Sequence, residues 1–372
     1  MVGAVVVVRG EAVGSGWHRQ VGGPHAEVEA LAAAGARARG ATLYVTLEPC
    51  AHHGRTPPCA DAVVAAGIAR VVASHGDPDP RVAGRGFARL REAGIEVEVG
   101  PLAAAAVRLN LRFLVAATER RPQVTLKWAM SLDGRIATAA GESQWISSPR
   151  ARRWALALRE EHDATLVGSG TVLADDPRLD RRLGLAGKPG LRVVLDRRLR
   201  LAAWAASAPA GAPRRLFTVA DPLLVYTAAG AAEGAAADAG AGAGTATVPG
   251  AGKPPARRIP EPGEVVALPA VEPAAVLADL YRRGVRSVLV EGGAEVLASF
   301  AASGLYDRVA VVCATLLVGG RQAPGPLAGP GAASLADAPR LDHLQELHRG
   351  GDLIVEALQR GRLEQLLALA LG

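Results

Sequence analysis

The sequence predicts a protein of two α/β domains. At 372 residues the chain exceeds the size at which a single hydrophobic core usually stops growing. In both halves, runs of β-branched residues alternate with Ala-rich or Leu-rich segments of helical spacing, and this alternation is typical of layered α/β sheets. Between the halves, a helical stretch ends at Pro122, where we place the domain boundary.

The first half, residues 1–121, is predicted to alternate strands and helices. Strands are predicted at residues 2–8, 41–47 and 70–75. Helices are predicted at about residues 25–39, 58–67, 86–94 and 101–120. The last of these helices leads into the domain boundary.

The second half, residues 122–372, repeats this alternation. Strands are predicted at residues 123–131, 165–169, 191–196, 285–293 and 307–320, and helices at residues 149–164, 273–284 and 294–304. Residues 228–264 are rich in Ala, Gly and Pro and predict a flexible surface loop. The leucine spacing after about Glu356 predicts an amphipathic helix that packs on the body or on a partner subunit.

Composition excludes several classes of protein. No run of eighteen apolar residues is free of Gly, Pro and charge, so a membrane span is not expected, and the apolar start of the sequence is not predicted to be a signal peptide. Three cysteines make no disulfide framework, which favours a cytoplasmic protein with a metal site. The net charge of +6 comes with scattered arginines and no basic–aromatic stripe, which suits a phosphorylated small molecule better than a nucleic acid.

The strongest chemical signal is a set of His, Glu and Cys residues in the first half. His25 and Glu27 stand in PHAEVEAL at a predicted helix start, and Cys50 and Cys59 each follow a proline. This pattern is the signature of zinc deaminases of bases and nucleotides. One imidazole and two thiolates leave a fourth tetrahedral position for water, and a carboxylate that is not a ligand shuttles the protons. We therefore predict a Zn²⁺ site at His25, Cys50 and Cys59, with Glu27 as the catalytic residue.

A closed zinc site without catalysis is the alternative for these residues. It needs four protein ligands, and His52 or His53 would supply the fourth. Because a closed site has no use for Glu27, catalysis is favoured. Eight residues separate Cys50 from Cys59, against the commoner two, and this long loop is expected to line the substrate pocket.

The second half gives weaker signals when its residues are considered alone. VGSGTV (167–172) and VEGGAEV (290–296) each place glycines after a predicted strand. A helix N-terminus with bare glycine amides can hold a phosphate, but neither segment contains a complete G-x-G-x-x-G motif. At this level, cofactor binding and ordinary strand–helix turns both stay open.

Seven segments spread over nearly the whole chain resemble one known family. They are PHAEVEAL, TLYVTLEPCAHHGRTPPC, DPDPRVAGRG, LKWAMSLDGRIA, GESQWISSPRAR, VGSGTVLADDPRL and VEGG. Together they are similar to the bifunctional riboflavin-biosynthesis deaminase/reductase, and the long cysteine spacing is the most specific feature. The resemblance implies a zinc cytidine-deaminase-like three-layer domain followed by a dihydrofolate-reductase-like α/β domain.

The resemblance also implies an activity, two cofactors and a small-molecule partner. The expected substrate is 2,5-diamino-6-ribosylamino-4(3H)-pyrimidinone 5′-phosphate, which would be deaminated hydrolytically. NADPH would then reduce its ribosyl group to ribityl. The expected cofactors are Zn²⁺ and NADPH, no nucleic-acid or membrane partner is expected, and a homo-oligomer is left open.

For the second half, the resemblance supplies expected site residues. Contacts to NADPH are expected at Ala129, Trp145, Thr171, Asp175, Gly292 and Gly293, and contacts to substrate at Ser143, Arg159, Leu179, Arg182 and Glu291. The guanidinium groups of Arg159 and Arg182 suit a phosphate, although a solvated helix face explains either one equally well. Lys127 and Asp175 are candidates for polarising or protonating the sugar.

One departure from the family pattern lies at the N-terminus. The family normally begins with a helix and a Pro-Asn-Pro turn before the strand that starts here at Val2, where this chain has only Met1. A start codon assigned too late is the favoured explanation, and the alternative is a reductase with an impaired, scaffold-only zinc domain. A nucleoside or nucleic-acid deaminase whose second domain only binds is a further hypothesis, disfavoured by the long cysteine loop.

Overall fold

The chain divides into two units, each built on its own sheet. The computed structural model describes residues 2–19, 22–52, 57–79, 82–185, 187–209, 211–231 and 259–371. The first unit comprises Met1–Arg120 together with Gly361–Gly372, and the second comprises Arg121–Arg360. The first break lies next to the boundary expected before Pro122. The final segment groups with the first unit, which corrects the expectation that the second domain extends over residues 122–372.

The first unit is built on a five-stranded sheet. Its strands are β1 (Gly3–Val8), β2 (Glu11–Trp17), β3 (Thr42–Val45), β4 (Arg70–Ala73) and β5 (Glu96–Val99), in the order β2-β1-β3-β4-β5. β1 is antiparallel to β2 and β3, whereas β3, β4 and β5 are parallel. The three predicted strands are confirmed with shorter bounds. The sequence does not predict β2, whose EAVGSGW segment contains a single β-branched residue.

The helices of the first unit come from both ends of the chain. They are α1 (Ala26–Ala34), α2 (Cys59–Ala65), α3 (Arg85–Glu92), α4 (Ala103–Leu109), α5 (Leu111–Glu119) and α11 (Arg362–Leu371). The predicted helix over residues 101–120 is two helices that meet at Asn110. The amphipathic helix predicted for the tail is confirmed as α11, beyond the end of the last strand.

Two glycines let α1 lie directly on β2. A Cβ at Gly14 would stand 2.3 Å from the carbonyl oxygen of Ala30, and a Cβ at Gly16 would stand 2.5 Å from that of Ala26. Both distances are far below van der Waals contact, so any larger residue would push the helix away from the sheet. The glycines therefore set the position of the helix that begins after His25.

The second unit is built on a nine-stranded mixed sheet. Its strands are β6 (Gln123–Ser131), β7 (Ala164–Gly168), β8 (Leu191–Leu195), β9 (Leu223–Ala228), β10 (Gly263–Leu268), β11 (Ser287–Val290), β12 (Arg308–Ala314), β13 (Leu341–Arg349) and β14 (Asp352–Gln359). Their order is β10-β9-β8-β7-β11-β6-β12-β14-β13. The first seven strands of this order, from β10 at the edge to β12, are parallel to one another. β14 is antiparallel to both of its neighbours, β12 and β13.

The helices of the second unit follow strands of this sheet. They are α6 (Pro149–Glu161), α7 (Ser169–Asp175), α8 (Arg200–Ala206), α9 (Pro273–Arg282) and α10 (Ala294–Ser303). α6 begins where the sequence predicts, because Ser148 caps it by accepting a hydrogen bond from the Ala151 amide at 3.3 Å and Pro149 suits its first turn. The predicted loop over residues 228–264 overlaps the end of β9 and the start of β10, and its residues 232–258 lie outside the described part of the chain.

Each unit has its own apolar core. In the first unit the core includes Val6, Leu43, Val71 and Leu90, all fully buried between the sheet and the helices. In the second unit the largest core cluster includes residues of β6, β7, β11 and α9. Within the described residues, no helix combines the length and the apolar character needed to cross a membrane.

Candidate active sites

The three predicted metal ligands lie together in the first unit. The Nδ1 of His25 lies 3.0 Å from the Sγ of Cys59 and 3.6 Å from the Sγ of Cys50, and the three ligand atoms lie within 4.8 Å of one another. His25 precedes α1, Cys50 follows β3 and Cys59 begins α2, so three separate elements meet here. One imidazole and two thiols at this spacing fit a tetrahedral Zn²⁺ ion that keeps a fourth position for water.

The closed-site alternative depends on a fourth protein ligand. In the part of the chain that the structure describes, His52 does not belong to the group of ligand atoms around His25, Cys50 and Cys59. His53 lies outside the described residues. The described geometry therefore offers three ligands, which is the number found in catalytic zinc sites.

The two thiols share a negative charge. The Sγ of Cys50 accepts a hydrogen bond from the Cys59 amide at 3.3 Å. Hydrogen bonding from the Cys59 thiol lowers the pKa of Cys50 to about 5, although burial acts against it. The same thiol–thiol bond, burial and the carboxylate of Glu27 raise the pKa of Cys59. Deprotonation of one thiol of the pair is therefore favourable. Deprotonation of both, which a metal site requires, needs a cation beside them.

Glu27 lies beside these ligands, in the first turn of α1. Its side chain is buried, and its Oε2 has no hydrogen-bond partner among the described residues. Burial raises the pKa of Glu27 to about 6, and the negative charge of Cys50 acts in the same direction. A buried carboxyl group with a pKa near neutrality can both accept and release a proton.

The second unit contains a cavity of about 470 Å³. Nine of the eleven site residues expected in the second half line it: Ala129, Ser143, Trp145, Arg159, Thr171, Asp175, Leu179, Arg182 and Glu291. Lys127 lines it as well. Gly292 and Gly293 do not, but a Cβ on Gly293 would lie 3.2 Å from the Oγ1 of Thr171. The structure therefore brings the expected residues together in one place.

The glycine turn lies between β11 and α10. Gly292 has φ = 124° and Gly293 has φ = 75°, a region that favours glycine. β7 and β11 are neighbouring parallel strands, and α7 and α10 start at their carboxyl ends. Two helix N-termini therefore face the same edge of the sheet, which is the usual arrangement for a phosphate-bearing ligand.

A buried ion pair forms one wall of the cavity. The Nε and Nη2 of Arg159 donate to the two carboxylate oxygens of Glu291, both at 2.7 Å. Burial tends to raise the pKa of Glu291, but the charges of Arg159 and Lys127 outweigh it and hold that pKa at about 2. Burial lowers the pKa of the Lys127 ammonium. The Nη1 of Arg159 is buried without a hydrogen-bond partner among the described residues, so one donor stays available to a ligand.

Solvent exposure distinguishes Arg159 from Arg182, two residues whose exposure the sequence leaves open. The Arg159 side chain is 12% exposed, so the solvated-helix interpretation is wrong for it. The Arg182 side chain is 44% exposed and is ion-paired with Asp180, which also binds Arg178. Arg182 therefore reaches the cavity from a partly solvated position, which suits a phosphate arriving from solvent.

Polar and aromatic groups also line the cavity. Asp175 accepts a hydrogen bond from the Ser143 hydroxyl at 3.1 Å. The Trp145 ring is largely exposed, and the Arg152 guanidinium lies 4.4 Å from the ring centroid. Such a ring offers a stacking surface beside the cavity.

Three arginines that line the cavity are missing from the sequence-based expectations: Arg152, Arg178 and Arg215. A signal for Arg152 existed, because Arg152, Ala155, Leu156 and Arg159 stand at i, i+3, i+4 and i+7 on one face of α6. Arg178 lies in an irregular segment and Arg215 begins a three-residue 3₁₀ helix, and neither segment is long enough for a periodic pattern to show which way a side chain points.

Comparison with known proteins fits this geometry. The family model for the cytidine and deoxycytidylate deaminase zinc-binding region matches residues 1–75, and the model for the RibD C-terminal domain matches residues 122–355. The chain is 41% identical over 364 residues to the riboflavin biosynthesis protein RibD of Bacillus amyloliquefaciens, which covers 97% of this chain and 90% of the relative. The chain belongs to the RibD family. It is also 40% identical to the RibD of Escherichia coli, over 95% of this chain and 91% of the relative.

Solved RibD structures show the same fold. One crystal form of Acinetobacter baumannii RibD superimposes with a TM-score of 0.76 at 34% identity and covers 96% of this chain and 92% of that one. A Thermotoga maritima diaminohydroxyphosphoribosylaminopyrimidine deaminase/5-amino-6-(5-phosphoribosylamino)uracil reductase superimposes with a TM-score of 0.74, also at 34% identity, over 96% and 91%. The predicted fold class is confirmed: a cytidine-deaminase-like zinc domain is followed by a RibD reductase domain.

Proposed function

We propose that this RibD protein catalyses two consecutive steps of riboflavin biosynthesis on one phosphoribosyl pyrimidine. The first is hydrolytic deamination of 2,5-diamino-6-ribosylamino-4(3H)-pyrimidinone 5′-phosphate, and the second is NADPH-dependent reduction of its ribosyl group to ribityl. The observation that carries the proposal is the presence of two sites whose residues fit these two kinds of chemistry. One is the three-ligand zinc site with Glu27, and the other is the cavity around Lys127 and Glu291.

In the deaminase site, His25, Cys50 and Cys59 would hold Zn²⁺. When bound, zinc supplies Lewis acidity that lowers the pKa of a water molecule at the fourth position. Glu27 would take a proton from the attacking water and deliver it to the ring nitrogen. It would then take a second proton, from the hydroxyl group formed at the reacting carbon, and deliver it to the amino group, which leaves as ammonia. Its buried carboxyl group and unpartnered Oε2 support this role. A scaffold-only zinc domain would have no need of either feature.

In the reductase site, the glycine turn and Thr171 would bind NADPH together with Ala129, Trp145 and Asp175. When bound, NADPH supplies a hydride. Reduction at C1′ of the sugar would open the ring, and the ring oxygen released from C1′ would need a proton. Lys127 is our candidate proton donor, because its buried ammonium has a lowered pKa and lines the cavity.

Substrate in this cavity would contact Ser143, Leu179 and the Arg159–Glu291 pair, and Arg182 would bind its phosphate. The exposed guanidinium of Arg182 and the unpartnered Nη1 of Arg159 support this assignment. We place the enzyme in a reducing, cytoplasmic setting because its three cysteines are free thiols and two of them would bind metal.

Removal of zinc tests whether the metal is needed for deamination alone. We expect chelation to abolish ammonia release, while NADPH oxidation with the already deaminated substrate keeps its rate within about twofold. The reason is that His25, Cys50 and Cys59 belong to the first unit and are not among the described residues that line the second unit's cavity. Adding back one equivalent of Zn²⁺ should restore deamination. Loss of both activities on chelation would contradict the assignment of zinc to the deaminase alone.

A further inference from the structure

The C-terminal helix α11 is anchored within the first unit. It packs on α4, and its Leu363, Leu366 and Ala370 side chains are buried. At its start, Arg362 is ion-paired with Glu119 at the end of α5. Both the first turn and one face of the helix are therefore fixed to the deaminase domain.

The last turn of α11 reaches the segment that follows β4. The Ala370 carbonyl oxygen accepts a hydrogen bond from the Gly76 amide at 2.7 Å. A Cβ on Gly76 would lie 3.1 Å from that oxygen and 3.5 Å from the Oε2 of Glu48. Gly76 thus occupies a narrow space between the end of the helix and a buried carboxylate.

Glu48 ties the same segment to the zinc ligands. It lies two residues before Cys50, and its amide donates to the His75 carbonyl oxygen at 3.0 Å. Its carboxylate accepts four backbone N–H groups: Asp77 at 3.1 Å and Gly84 at 3.0 Å on Oε2, and Gly86 at 2.8 Å and Phe87 at 3.3 Å on Oε1. A buried carboxylate with four such bonds holds its partners rigidly.

Asp77 continues the segment that begins with His75 and Gly76. It is half-buried, and its carboxyl group interacts electrostatically with His52, in the loop between Cys50 and Cys59. Residues 75–77 are therefore held from one side by the chain that leads to Cys50 and from the other side by α11.

We propose that α11 is a positioning element of the deaminase site. Its last turn holds Gly76 and, together with Glu48, fixes Asp77 relative to Cys50 and His52. The proposal rests on the proposed deamination. Detaching the helix removes one of the two supports of residues 75–77 but no zinc ligand, so it weakens productive substrate binding while the metal stays in place.

Leu366→Asp in the full chain tests this proposal. Leu366 is fully buried, and a carboxylate there detaches the helix. Leu369→Asp is the matched control, because Leu369 lies on the same helix and is 50% exposed. For Leu366→Asp we expect the deaminase KM to rise by about tenfold or more with zinc content unchanged, and the Gly76 amide to exchange hydrogen faster. Reductase kcat/KM should stay within about twofold, and Leu369→Asp should resemble the wild type.

Several outcomes would overturn the proposal. Unchanged deaminase KM and unchanged Gly76 exchange, with helix detachment shown by proteolysis, would do so. So would loss of zinc with faster exchange throughout the first unit, since α11 would then support the fold in general. If Leu366→Asp does not fold, Leu366→Ala, which leaves only a cavity, should show the same changes at smaller size. If the wild type releases no ammonia, the proposed function fails, and Gly76 exchange alone decides the role of α11.

Discussion

Replacing Glu27 by Gln should reduce deamination by about 10²- to 10⁴-fold, because the amide can neither accept the proton from water nor deliver it to the ring nitrogen. The substitution nearly preserves the volume of the side chain, and Glu27 is not among the three zinc ligands. Zinc content should therefore stay at the wild-type level. Ammonia release measures the loss, and metal analysis of the same sample measures zinc.

Glu29→Gln is the matched control for this variant. Glu29 lies in the same turn of α1 and is only partly buried. It should deaminate at a rate within about twofold of the wild type. Both variants should oxidise NADPH normally with the already deaminated substrate. A Glu27→Gln enzyme that keeps its deamination rate with zinc bound would refute the role assigned to Glu27.

Replacing Lys127 by Met should reduce NADPH oxidation by about 10²- to 10⁴-fold, because the variant loses the proposed proton donor to the sugar oxygen. Met keeps the length and the apolar stem of the side chain, and Glu291 keeps its ion pair with Arg159. The fold should therefore survive. Oxidation of NADPH with the already deaminated substrate measures the effect.

Lys188→Met is the control for this variant, since Lys188 is exposed and does not line the cavity. It should reduce substrate at the wild-type rate, and both lysine variants should release ammonia normally. If Lys127→Met retained full reductase kcat, the proton would have to come from another group, and Asp175 would be the next candidate.

The zinc site could be predicted from sequence because its signals are local. His25 and Glu27 stand two residues apart at the start of α1, and each cysteine follows a proline in a single segment. Residue chemistry at that spacing leaves few alternatives, and the observed distances among His25, Cys50 and Cys59 agree with it.

The second site could not be derived from spacing, and the resemblance supplied it. Arg159 and Glu291 are separated by 132 positions, so only the fold brings them into contact. No periodic pattern in the sequence around Arg159 or Glu291 predicts that the two form a buried ion pair. For the same reason the sequence leaves open whether Arg159 is solvated, a question that burial in the folded chain answers.

The placement of α11 shows a further limit. Leucine spacing predicts an amphipathic helix, but it carries no information about which surface the apolar face covers. The contacts of Leu366 and Ala370 with the first unit are non-local and depend on where the chain returns after β14. Likewise, the glycine-rich β2 lacks strand propensity and forms because it pairs with β1.

The most direct test of the two-step account is to supply the purified, zinc-loaded chain with 2,5-diamino-6-ribosylamino-4(3H)-pyrimidinone 5′-phosphate and follow ammonia release before and after NADPH is added. We expect ammonia to be released without NADPH, and NADPH to be oxidised afterwards in an amount equal to the ammonia. No ammonia release, with NADPH oxidised only when the already deaminated substrate is supplied, would contradict the account and leave a reductase with an inactive zinc domain.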